Sequence, residues 1–189
     1  MRRSLSLALS CLAVLLLAGC ASPSGDTPAQ KRQAAAQMRS ETLAKLYAIR
    51  PSARQEIRRA EGYAVFSNVG VNLIFLSAGN GYGVLRDNKT GRDVHMKMVT
   101  GGIGLGLGVK DFRGVFVFTT REALERFAND GWDAGGQADA AAKSSDKGGA
   151  YAGAVSVAPG IELYQITENG LALQATIQGT KYWRDDDLS

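Results

Sequence analysis

Histidine occurs once in the 189 residues, at His95, and cysteine twice, at Cys11 and Cys20. Zinc clusters, disulfide scaffolds and Cys/His dyads need more of both, so these classes are excluded. No long apolar run follows the one at the N-terminus, which excludes a multi-pass helical membrane protein. There is no G-x-S-x-G elbow and no G-K-S/T phosphate loop. His95 stands alone between Val94 and Met96 and reads as a structural or surface histidine rather than a catalytic one. Carboxylate pairs such as Glu122/Glu125 and Asp185/Asp186 fall on a helix surface and in a solvated tail. No constellation here is one that an enzyme needs, so neither catalysis nor a cofactor is expected.

The N-terminus reads as a leader. Met1-Arg2-Arg3 is positive, and Leu5 to Leu17 is apolar apart from Ser6 and Ser10. That run is shorter than the ~20 residues a spanning helix needs. Leu17-Ala18-Gly19-Cys20 follows directly and matches a lipobox, in which Cys20 receives diacylglycerol and the chain is cut before it. Two or three acyl chains anchor stably where one is marginal. Ala21 in the next position favours a periplasm-facing anchor in the outer membrane if the cell has two membranes, and a cell-membrane lipoprotein if it has one. The expected organisation is therefore a leader over 1–19, a lipidated tether over 20–30 and one domain over 31–189.

Removing Arg2 and Arg3 with the leader lowers the formal net charge from +4 to +2. What remains is unevenly spread. Residues 31–61 hold eight Lys/Arg against three Glu, a net of +5, whereas residues 62–189 carry a net of −2. Clustered Lys/Arg beside a membrane gain roughly 1 kcal/mol each from anionic lipid. The same pattern also suits a plain solvated helix face.

Ala35, Met38, Thr42, Leu46 and Ile49 recur at helical spacing, which predicts an amphipathic helix over 31–49. Ser52-x-x-Gln55 reads as a capping box for a second helix over Ala53 to Ala60, closed by Gly62. Beyond Gly62 the period becomes two. Strands are expected near 63–67, 70–77, 81–87, 93–100, 102–110 and 113–119, with a turn at Asp87 to Gly91. Thr119-x-x-Glu122 starts a short helix that buries Ala123, Leu124, Phe127 and Ala128 and ends at Gly131. Residues 133–149 read as an exposed loop. Asn169-Gly170 predicts a two-residue hairpin turn pairing Ile166 with Leu173 and Tyr164 with Ala175. Trp132 and Trp183 are core plugs or, alternatively, membrane-interface anchors.

Glycine is abundant: 22 of the 23 lie after the leader, about twice the usual ~7%. Gly102 to Gly108 alternates glycine with Ile103, Leu105 and Leu107 and fails the G-x-G-x-x-G test. One face of that strand is smooth, which means a neighbouring backbone packing close, barrel closure, or a groove for a ligand or acyl chain.

Several pieces occur in a set order. They are Ser40-x-x-Leu43-x-x-Leu46, Pro51-x-Ala53, Ala60-Glu61-Gly62-Tyr63-Ala64-Val65-Phe66 and Gly81-Tyr82-Gly83, then the Gly102–Gly108 alternation, Gly131-Trp132, and Glu168-Asn169-Gly170-Leu171 before Gly179. Together they make the chain from about residue 40 onward resemble the SYLF-domain family, in its bacterial lipoprotein branch. The resemblance implies association with phosphoinositide or other anionic phospholipid through a basic N-terminal helix. Carried over by position, that role falls on Lys45, Arg50, Arg54, Arg58 and Arg59. Actin binding, known in some eukaryotic members, is not carried over, and nucleic acid is not expected as a partner.

The expected fold is α+β: N-terminal helices packed on a bent antiparallel sheet or barrel-like sandwich. The expected function is a membrane-anchored, non-enzymatic, lipid-binding envelope lipoprotein. The alternative is a structural or assembly lipoprotein that binds another envelope protein.

Overall fold

The computed structural model describes residues 22–133, 154–167, 170–172 and 179–189. Helix α1 spans Pro28–Ile49 and α2 spans Ala53–Arg59. Two 26-residue strands follow, β1 over Gly62–Asp87 and β2 over Asp93–Phe118. Helix α3 (Arg121–Asp130) precedes the short strands β3 (Trp132–Asp133), β4 (Val155–Ala158), β5 (Ile161–Thr167), β6 (Gly170–Ala172) and β7 (Thr180–Arg184). The seven strands form one antiparallel sheet. The class is α+β, as the sequence pattern indicates.

Helix α1 starts at Pro28, within the stretch expected as tether. Thr27 and Gln30 form a reciprocal capping box there, and Pro28 occupies the first turn, where its missing N–H costs nothing. The box expected at Ser52 does not form. Ser52 has helical backbone angles (φ −63°, ψ −28°) and its side chain makes no capping bond, because capping needs an extended backbone at that position. For α3 the cap is Thr120 rather than Thr119, accepting from the Ala123 N–H, and Gly131 closes the helix at φ 74°.

The six strands expected between 63 and 119 run together into two. β1 and β2 pair along their whole length around the Asp87–Gly91 turn, in which the Gly91 N–H donates to the Asp87 carbonyl over 2.9 Å. Register shifts once: Ile74 opposes Gly106 and Leu76 opposes Ile103, so Phe75 stands against two residues of β2, Gly104 and Leu105. Such a bulge bends the ladder and changes which side chains share a face. β1 turns even-numbered residues (Ala64, Phe66) to the core before the bulge and odd-numbered Leu85 after it. β2 turns even-numbered residues inward in both halves, Val94, Met96 and Met98 and then Phe116 and Phe118.

The long pair thereby folds over on itself. Its Phe118 end continues sideways to β5, which carries β4 and β6, and its Asp93 end continues to β7 and β3. Between the two halves lies the larger core, where Phe66, Phe116, Phe127, Trp132 and Tyr182 stack edge-on and tilted at 4.7–6.2 Å between ring centroids. Ala123, Leu124 and Phe127 of α3 plug this core. The second core lies on the opposite face of the Phe118 half, where Val65, Val115, Val117, Tyr164 and Ile166 meet Met38 and Leu46 of α1 and Ala53 and Ile57 of α2.

Three further expectations need correction. The final hairpin pairs Ile166 with Leu171 and Gln165 with Ala172, two residues out from the expected register; a two-residue shift leaves the same set of side chains on each face. The tail after Trp183 is not solvated throughout: the Asp185 N–H donates to the His95 carbonyl over 2.8 Å, its carboxylate meets Lys97 at 2.9 Å, and Leu188 is buried. Trp132 is a core residue, whereas Trp183 is 41% exposed. The expected loop over 133–149 lies outside the described residues apart from Asp133, as do the side chains of 102–112.

Candidate functional site

The basic segment folds as α1, a three-residue turn at Arg50-Pro51-Ser52, and α2. Of the five α1 positions read as one apolar stripe, Ala35, Met38, Thr42 and Leu46 are buried, but Ile49 is 47% exposed. Ile49 closes the last turn of α1, beyond Leu46 and Tyr47, which pack against the second core. A large apolar side chain thus projects into solvent at the tip of the helix pair.

The exposed cations are spread along the helix pair, from the last turns of α1 to the far end of α2. Lys45, Arg54, Arg58 and Arg59 are all exposed. Lys45, Arg58 and Arg59 have no ion-pair partner among the described residues. The Arg54 guanidinium lies 4.6 Å from the centroid of the Tyr47 ring, which braces α2 against α1. Arg50 behaves differently. It is half-buried, paired with Glu56 at 3.2 Å, and sits 5.8 Å from the centre of the Tyr164 ring. Four of the five predicted lipid-contacting residues therefore present charge outward, and the fifth ties the turn to the sheet. Cys20 lies outside the described residues.

The anchor of α2 is a polar network that the sequence reading did not single out. Tyr164 of β5 donates its hydroxyl to Glu56 Oε2, while Arg50 holds Oε1. Burial pushes the Glu56 carboxyl up, but the hydrogen bonds from Tyr164, Arg50 and Ser52 outweigh it and hold the group below its ordinary value. Burial and the Glu56 carboxylate together raise the Tyr164 phenol to about 12. At the other end of α2, Asn88 donates to the carbonyls of Ile57 and Ala60 at 2.8 and 2.9 Å, capping the helix from the β1–β2 turn. Glu56 could have been found from its place in sequence among Arg50, Arg54 and Arg59, of which it pairs with Arg50. Asn88 carries no such signal, since an Asn in a turn is ordinary.

His95 is half-buried, and burial lowers its pKa, with Asp93 and Asp185 opposing. Among the described residues no group of three or more His, Cys, Asp or Glu is placed to hold a metal ion. No described helix is long and apolar enough to cross a membrane.

No family model matches the chain. It is 34% identical over 165 residues to Beta cell expansion factor A of Aeromonas veronii, an alignment that takes in 86% of this chain and 60% of that protein. The chain spans about three-fifths of the length of this curated relative.

Proposed function

We propose that this protein is a lipoprotein of SYLF type, anchored through Cys20 in the outer membrane, whose α1–α2 tip binds anionic phospholipid without catalysis. The observation that carries the reading is the helix pair's exposed basic surface, with Lys45, Arg54, Arg58 and Arg59 all exposed and Ile49 exposed at the turn between the helices. An apolar side chain within a basic rim suits the interface of an anionic bilayer, where charge draws the surface in and the apolar group enters the headgroup layer.

The test is binding of residues 21–189 to sedimenting vesicles. All the described core residues, from Ala35 to Leu188, are kept in that fragment. Binding is expected to anionic vesicles and hardly at all to neutral ones, and to fall steeply with salt, because such attraction is screened over about 8 Å at physiological ionic strength. Arg54→Glu combined with Arg58→Glu is expected to abolish it while the thermal midpoint holds. Unchanged binding by that double variant overturns the reading.

A second reading rests on a different surface. Val99 (42% exposed) and Trp183 (41%) stand near one another on the outer face of β2 and β7, beside Lys97 and Lys181. An apolar pair on a sheet face suits another envelope protein as partner. No binding to anionic or neutral vesicles by the parent chain, with this apolar pair still exposed, would favour it.

A further inference from the structure

The outer face of the Asp93 half of the sheet is only partly covered. On β2 its residues are Asp93, His95, Lys97 and Val99, since Val94, Met96 and Met98 point into the core. On β7 they are Lys181 and Trp183, on either side of buried Tyr182. Helix α1 reaches one side of this face, where Arg39 meets Asp93 at 2.8 Å. The other side is bare. Val99 and Trp183 stand there, two of only three large apolar side chains that are exposed among the described residues. Register places Trp183 opposite Lys97 and Val99 opposite Lys181, so the two make one small patch.

The start of α1 lies at the border of that patch. Lys31, in the first turn, is within electrostatic reach of Asp187, and Arg32 of His95. Asp187 in turn accepts from Lys97 over 2.8 Å, and Lys97 stands opposite Trp183. The chain that enters α1 therefore arrives beside the patch. Cys20 precedes Pro28 by eight positions, a span of at most about 29 Å even at full stretch. Pro23 is buried, so part of that length is held on the fold. Ile49 and the cations of α2 lie beyond the other end of this 22-residue helix, roughly 33 Å away.

We propose that the Val99–Trp183 patch rests on the lipid leaflet that holds Cys20, with the Trp183 ring between headgroups and acyl chains. The assignment depends on the anchor in the reading above and not on the basic helix pair. An indole ring, apolar in body and polar at its N–H, suits that zone of a bilayer. The stems of Lys97 and Lys181 add apolar surface beneath their charges. Those charges are already met, Lys97 by Asp185 and Asp187 and Lys181 by Asp133. The patch therefore needs no anionic lipid. Two half-exposed side chains are too few to hold the free domain on a neutral surface, in keeping with the weak neutral binding expected of residues 21–189. Tethering changes this, because an anchored domain meets its own leaflet at high effective concentration. The anchor brings a bilayer to this face, and no feature of the face selects a protein.

The experiment reconstitutes the full acylated chain into neutral phosphatidylcholine vesicles, either plain or brominated on the acyl chains close to the headgroup, and reads tryptophan emission. Brominated lipid is expected to quench the parent, and Trp183→Phe to lose that quenching, since Trp132 is 7% exposed inside the core. Residues 21–189 mixed with the same vesicles are expected to stay unquenched. The comparison of plain with brominated lipid in the parent needs no variant, so a Trp183→Phe protein that fails to fold does not protect the proposal. A parent that sediments with the vesicles yet emits equally in both lipids overturns it and leaves the face to a protein partner. Quenching that survives in folded Trp183→Phe overturns it as well. A full chain without acyl groups by mass spectrometry, or one that stays in the supernatant, fails the anchor reading and takes the proposal with it. Charge reversal at Arg54 and Arg58 is expected to leave the quenching unchanged, and its loss there would place the contact on the basic helices instead.

Discussion

The carbonyl oxygen of Arg86 occupies the place that a side chain on Gly62 would need, although the two residues lie at opposite ends of the same strand. The same closeness recurs along the seam. A Cβ on Gly83 would meet the Phe66 ring and the Val65 carbonyl, the latter at 2.6 Å, and one on Gly81 would lie 3.0 Å from Asn68 Cα. β1 has folded back on itself, and glycine at these inward-facing positions lets its two halves touch backbone to backbone.

Gly62→Ala and Gly83→Ala are therefore expected to be strongly destabilising, by about 1–3 kcal/mol or more, since the atoms they strike are backbone or a packed ring. Gly101 is the control. A Cβ there meets nothing within 4 Å, so Gly101→Ala should stay within about 1 kcal/mol of the parent. Urea melts of the three variants check this; an equal effect at Gly101 and Gly62 would refute the seam.

Much of this was legible and some was not. Closure by glycine is what the sequence pattern led one to expect, but it pointed to Gly102–Gly108, whereas the closure that can be described falls at Gly62, Gly81 and Gly83. Periodicity reports which residues alternate. It does not report that one strand will curl through 24 residues to meet its own start, because that contact depends on a bulge with no local signature. The same holds at the site. Exposed Lys45, Arg54, Arg58 and Arg59 could be read from charge density, yet Arg50 could not be separated from them. What distinguishes it is Tyr164, 114 positions downstream by the sequence numbering, and no spacing rule links the two. Ile49 misled for a related reason: helical period places it on the buried stripe, but the contacts of α1 with the second core stop at Leu46 and Tyr47.

Tyr164 is expected to make the fold sensitive to alkali. Its phenol titrates at about 12 in the native state, raised first by burial and then by Glu56, against roughly 10 in the unfolded chain. The unfolded state thus releases the proton first. The stabilisation is complete below pH 10 and is lost as pH climbs toward 12. Tyr164→Phe should flatten the pH dependence over that window, and at neutral pH it should cost about 1–3 kcal/mol for the lost bond to a charged acceptor. Urea melts between pH 7 and 11.5 test both parts. A Phe variant with the parent's alkaline slope would place the sensitivity elsewhere, with Tyr182 the next buried phenol to examine.

At acid pH the corresponding pair is Asp87 and Arg121, 2.8 Å apart where the β1–β2 turn meets α3. The Arg121 guanidinium holds the Asp87 carboxyl far below its ordinary value; burial opposes this, and the Thr90 and Lys89 backbone amides add to it. A depressed carboxylate stabilises above the ordinary value of ~3.9 and loses that contribution as pH falls beneath it. Arg121→Gln should therefore destabilise the protein most at neutral pH, where Asp87 is ionised, with an effect that shrinks as pH falls well below ~3.9, and the less stable variant should unfold at a higher pH in an acid titration. Circular dichroism across an acid titration measures the shift, and an unmoved midpoint would count against the pair.

Ile49 separates the two forces proposed to act at the helix tip. Fully burying a side chain of its size is worth about 1.5–3 kcal/mol, and at 47% exposure only part of that remains to be gained. Ile49→Ser should weaken binding to anionic vesicles by roughly three- to tenfold. Because the lost term is apolar, the weakening should be similar at low and high salt. The effect of Arg58→Glu, by contrast, should shrink as salt screens the attraction. The thermal midpoint of Ile49→Ser should not fall, since the residue lies outside both core clusters. Vesicle sedimentation at two salt concentrations, with a melt on each variant, gives all four numbers. An Ile49→Ser protein that binds as the parent does would mean that charge alone holds the tip at the surface, with no side chain entering the bilayer.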